Sequence, residues 1–175
     1  MTMIDNDIKI PEGVAGFDAM AYFKDLTEHN RTAVDSGFFP CACSGPMSLE
    51  GLLTNMKGHS RFVAIDDTNE GTVIENSGGF FKRVTVTVWI LSKYKFNDMN
   101  DRENQLKLCR KVFRQFMSRI LKDKYRWEMD FTYLLDRSID TREIGRYFIN
   151  GLTGVEFMLD IQQPFDLVYD EREWI

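Results

Sequence analysis

The chain has no run of 18 or more uncharged apolar residues, and its 175 residues include only two histidines, three cysteines and four prolines. Each scarcity removes a class of explanation. A bilayer-crossing helix needs about 20 consecutive apolar residues, so no helical membrane span is expected. The first ten residues carry Asp5 and Asp7 where a secretion signal would have a basic end followed by an apolar stretch, so no signal peptide is expected either. Three cysteines cannot close a disulfide framework, which fits a reducing compartment. His29 and His59 have no His or Glu partner at helical ligand spacing, which argues against a zinc centre of the common catalytic kind.

Recognised catalytic and phosphate-binding patterns are also missing. There is no Gly-x-x-x-x-Gly-Lys-Ser/Thr, no Gly-x-Gly-x-x-Gly and no Gly-x-Ser-x-Gly elbow. The pair Gly151 and Gly154 lacks the lysine and following helix that would hold phosphate. Cys41 and Cys43 point to one side of an extended chain and could begin a soft metal site. Their spacing is not that of a paired-CxxC ribbon, so they read as small buried hydrophobes. Asp98 and Asp101 resemble calcium-loop composition, but without the glycine and the distal glutamate they read as helix capping. The pairs Asp66 with Asp67 and Asp136 with Asp140 are what an acidic sequence contains by chance. No catalytic residue, metal or cofactor is therefore expected.

What the sequence does contain is segregated charge. Net charge is −5, yet residues 100–126 sum to +6, while residues 1–30 and 160–175 each sum to −4. A solvated helix face accounts for such a block, and so does contact between copies, because opposite patches steer and register subunits. An overall pI of about 5.1 argues against a dedicated nucleic-acid binder, so nucleic acid is not expected as a specific ligand. Aromatic residues make up 13% of the chain, high for one so small, and most of these rings are expected in the core. Trp89 on the polar side of a strand, Trp127 at a helix exit and Trp174 among charges are expected as interface anchors.

Periodicity orders the elements. Phe17, Met20, Ala21 and Leu26 recur at helical spacing, predicting an N-terminal helix over 14–33. An edge strand is expected at 38–43, since Pro40 cannot donate to a ladder, then a helical turn at 48–53 and strands at 61–65 and 72–75. Residues 80–95 give the clearest strand: Val84, Val86, Val88 and Ile90 alternate with Arg83, Thr85, Thr87 and Trp89. A long helix over 97–123 follows, capped at Asn100 with Glu103 three residues on, its apolar stripe including Leu106, Cys109, Val112, Phe116, Ile120 and Leu121. Strands are expected at 129–135, 146–150 and 155–162, the last two joined by a hairpin at Gly151 to Gly154. One helical turn near Asp140, a last extended piece at 165–169 and an acidic C-terminal tail over about 165–175 complete the reading. The fold class is α+β: an antiparallel or mixed β-sheet carrying a long amphipathic helix and an N-terminal helix, in a single domain over 1–175.

This order resembles the tail-terminator and tail-completion (head-tail joining) proteins of long-tailed bacteriophages. The likeness covers the chain as an order of elements, chiefly the strand at 80–95 leading into the helix at 97–123, and the closing strand at 155–162 followed by Pro164, Phe165, Asp166 and Leu167. The stretch 38–60 is an addition to that order. The resemblance implies a non-enzymatic structural subunit, forming a ring such as a hexamer, that ends or joins the tail tube. Its implied partners are copies of itself and tail-tube and head-connector proteins, and its place is the virion, or the bacterial cytoplasm during assembly. Arg83, Thr87 and Trp89 are the expected subunit contact, with Arg110, Arg114 and the tail bearing Trp174 as its charged partners. A small enzyme or ligand-binding domain, with a pocket between the long helix and the sheet, is the alternative. An adaptor contacting nucleic acid through Lys107, Lys111, Arg114 and Lys122 is a third.

Overall fold

A computed structural model describes residues 16–45, 51, 58–68, 70–76, 78–135, 138–147 and 151–175. Helix α1 (Ala19–His29) starts where the Asp18 side chain accepts the Ala21 N–H at 2.8 Å. It ends at Asn30, whose own side chain accepts from Ala33 and opens α2 (Arg31–Asp35). One residue thus closes one helix and caps the next, and the single helix expected over 14–33 is two. Strands β1 (Phe38–Cys43), β2 (Arg61–Asp66), β3 (Gly71–Asn76) and β4 (Gly79–Lys93) follow.

The long helix α3 (Met99–Met129) is capped two residues before the expected cap at Asn100. Asp98 is the cap, accepting from Asp101 N–H at 2.9 Å, and the Asp101 side chain takes the Lys95 N–H at 2.7 Å to fix the approach. It also runs past 123, absorbing Trp127 and Met129, and stops in a Schellman arrangement. Thr132 N–H returns to Trp127 O at 2.9 Å and Phe131 N–H to Glu128 O at 3.3 Å, with Phe131 in the left-handed position at φ 57°. The strand expected over 129–135 shrinks to β5 (Tyr133–Leu134). Where one helical turn was expected near Asp140, β6 (Thr141–Tyr147) pairs with β7 (Leu152–Pro164).

The expected strand at 146–150 lies partly outside the described residues, as does the helical turn at 48–53. Gly154 sits within β7 and is no part of a turn. No strand forms at 165–169, although Phe165 N–H still bonds Phe80 O at 3.0 Å.

Among the described residues the sheet has seven strands and is mixed. β4 and β7 form its antiparallel spine, paired from Phe81 opposite Pro164 to Lys93 opposite Leu152. On its other edge β4 holds β3 along its first half and β2 along its second, and β1 lies parallel to β2 at the sheet edge. A parallel neighbour needs a return crossover of a dozen or more residues, which is what the chain between Cys43 and Arg61 provides.

Both faces of this sheet bury apolar groups. On one, Val84, Val86, Val88 and Ile90 meet Val155, Phe157, Leu159 and Ile161 beneath Phe23 and Leu26 of α1 and Leu106, Cys109, Val112, Phe116 and Ile120 of α3. Leu121, expected in that stripe, is 49% exposed, because it lies beyond the arc that touches the sheet. The other face carries a second core: Cys41, Cys43, Phe62, Ala64, Trp89, Leu91, Ile144 and Leu152. A half-buried polar chain secures α3 to β2 and β4. Arg61 and Ser92 both donate to Gln105 Oε1, at 3.1 and 2.8 Å, and Gln105 Nε2 donates to Asp101 at 3.0 Å.

Candidate interaction surface

The outward side of α3 is set by its anchoring. Gln115 donates to Thr32 of α2 at 3.1 Å, Asp123 accepts the Tyr22 hydroxyl of α1 at 3.0 Å, and Arg110 bonds Glu143 of β6. Burial, together with the Asp123 carboxylate, pushes the Tyr22 hydroxyl pKa well above its ordinary value. With both flanks held, a stripe spaced by three and four residues faces away from the sheet: Lys107, Lys111, Arg114, Ser118, Lys122, Tyr125 and Met129. Lys111, Arg114 and Lys122 are exposed and make no ion pair among the described residues. Leu121, Tyr125 and Met129 expose 49%, 65% and 80% of their surface, so the C-terminal half of the stripe is apolar as well as cationic.

At the end of β7 the chain leaves the sheet. Residues 166–175 carry a net charge of −3 and hydrogen-bond only with one another among the described residues. Asp170 accepts the Arg172 backbone N–H at 2.9 Å and its guanidinium at 2.7 Å, which holds the Asp170 carboxyl below the ordinary carboxylate range. Tyr169 and Trp174 stack with ring centres 5.9 Å apart and are each 67% exposed, and Val168 is 84% exposed. The segment thus exposes aromatic and acidic groups side by side.

The expected contact residues divide. Arg83 and Thr87 lie on the face opposite α3, where Arg83 donates to Gln162 at 3.0 Å and Thr85 bonds Asp160. Together with Glu70, Thr72 and Leu135, Arg83, Thr85 and Asp160 line an open polar groove of about 640 Å3. Trp89 shares the strand face of Arg83 and Thr87, but it is 3% exposed and packed into the second core, so it is no outward anchor. Its strand neighbours there are Ala64 and Glu156, and Glu156 is itself buried and paired with Arg142 at 3.0 Å. Trp127 lies in the last turn of α3, at the helix exit, but it is no outward anchor: it packs against Phe17 and Tyr22, with ring centres 4.9 and 5.0 Å away. Arg110 is committed to Glu143 and Glu103 of its own chain, whereas Arg114 and Trp174 are exposed.

Sequence reasoning missed Leu121, Tyr125 and Met129 as surface groups. Carrying the spacing of Lys107, Lys111 and Arg114 onward past residue 123 would have placed Tyr125 and Met129 on the same stripe. The three cysteines are buried, and burial pushes their thiols up to about 11 for Cys41 and about 12 for Cys43 and Cys109. Among the described residues no His, Cys, Asp and Glu side chains cluster as a metal site, and no helix is long and apolar enough to cross a membrane. No protein-family model matches this sequence, and no curated protein matches it.

Proposed function

We propose that this chain is a non-enzymatic structural subunit of a phage-like tail or head-tail junction, associating with copies of itself into a ring, such as a hexamer, that ends or joins the tail tube. The observation that carries this reading is a pair of surfaces, each without a partner among the described residues: a basic, partly apolar helix face and an acidic aromatic segment, in one chain. Matching surfaces at separate places on a protomer favour head-to-tail contacts, which close into rings when the rotation allows. The order of long strand, long helix and closing strand that carries the phage resemblance is present as β4, α3 and β7.

In this reading the further partners are tail-tube and head-connector proteins, met in the virion or in the bacterial cytoplasm during assembly. Neither a cofactor nor a specific nucleic acid takes part. Negative-stain images of the purified chain test the proposal. Rings of uniform diameter are expected, and fields without any ring under conditions where the protein is concentrated and folded would contradict it.

A further inference from the structure

We infer that residues 166–175 of one copy dock along the outward stripe of α3 on the next copy, so that this pair of surfaces is the subunit contact; the inference rests on the self-association proposed above. Residues 111–126 hold a net charge of +5, with Asp123 their one acid and already engaged by Tyr22 and Arg119. The segment opposes them with Asp166, Asp170, Glu171 and Glu173 against the single base Arg172. Apolar groups match as well: Val168, Tyr169 and Trp174 on the segment face Leu121, Tyr125 and Met129 on the helix, all substantially exposed. Aromatic groups ringed by complementary charge are what concentrate binding energy at interfaces.

Direction favours a second copy over the same chain. Residues 166–175 are compact, with a 3-10 turn at Glu171–Glu173 and Tyr169 stacked on Trp174, and they match the C-terminal half of a stripe that runs about 33 Å from Lys107 to Met129 at 1.5 Å per helical residue. The base of the segment is fixed at the sheet, by Phe165 N–H on Phe80 O and by Lys82 Nζ 5.9 Å from the Phe165 ring. The stripe faces away from that sheet, with the roughly 10 Å thickness of the helix between them.

Charge exchange in the full chain tests the contact. One variant carries Lys111→Glu, Arg114→Glu and Lys122→Glu, a second Asp170→Lys, Glu171→Lys and Glu173→Lys, and a third all six. Every position is on the surface, and circular dichroism melts check that each variant folds. In sedimentation velocity at about 50 mM salt, where charges act over about 14 Å, the first two variants should associate at least about tenfold more weakly than the unmodified chain. The sixfold variant has the unmodified net charge and should recover to within about threefold. Association untouched by either triple exchange, or lost in both and not recovered in the sixfold variant, overturns this contact while leaving the ring proposal standing. An unmodified chain that stays monomeric removes both.

Discussion

Arg110 and Glu143 meet through two parallel charge-assisted hydrogen bonds, Nε to Oε1 and Nη2 to Oε2, each 2.7 Å. The pair ties α3 to β6, and Glu103 on the same helix approaches Arg110 Nη1 at 3.4 Å. Hydrogen bonding to Glu143 raises the Arg110 pKa, and the same guanidinium holds the Glu143 carboxyl below its ordinary range. The fork-to-fork geometry orients β6 beside the helix, although the side chains remain 41% and 52% exposed and the energy is correspondingly screened.

Acid should loosen the fold through this pair and through Asp101, whose carboxyl is lowered chiefly by the Lys95 N–H. A carboxyl depressed in the folded state contributes stability above its unfolded value, and that contribution is lost as pH falls through the folded value. Urea midpoints should therefore drop as pH falls through and below the ordinary carboxylate range. Glu143→Gln should cost no more than about 1 kcal/mol at neutral pH and should show a shallower acid loss than the unmodified chain.

Trp89→Ala should destabilise the fold by about 3–5 kcal/mol, the cost of emptying a large buried aromatic site. Trp174→Ala should leave the urea midpoint within about 0.5 kcal/mol, as exposed substitutions do. Chemical denaturation of both variants separates an internal indole from a surface one.

At Gly154 a Cβ would stand 2.0 Å from the Ile90 carbonyl oxygen and 3.0 Å from Leu91 Cα, both backbone atoms of the paired strand. Gly154→Ala must push β4 and β7 apart at the spine of the sheet. A loss of at least about 2 kcal/mol is expected, read as a lower thermal midpoint.

All three thiols should resist modification in the native chain. With burial and pKa values raised to about 11 to 12 from 9.0, almost no thiolate is present at neutral pH. A chromogenic disulfide reagent should titrate no cysteine before denaturant is added and three afterwards.

The strand at 80–95 was legible because strict alternation over Val84, Val86, Val88 and Ile90 has one structural meaning, and the α3 core stripe was legible for the matching reason at helical spacing. The helix end was not, because no glycine marks it: Phe131 takes the left-handed position usually given to glycine, and the Trp127 carbonyl receives the Thr132 N–H. The split between α1 and α2 turns on one side-chain oxygen of Asn30. At the candidate surface, Arg114 and Trp174 were readable as exposed charge and exposed indole. Trp89 misled because alternation tells which side of a sheet a residue faces, and here the second side has a core of its own. The parallel pairing of β1 with β2, which helps supply that core, is a long-range choice that no local pattern encodes.

Light scattering of the purified chain across tens of micromolar, at low and at high salt, tests self-association most directly, because surface charge contacts are screened as the Debye length shrinks. A mass several times the 20.5 kDa of one chain is expected at low salt, falling as salt is raised. A mass of one chain at every concentration and both salts would contradict it.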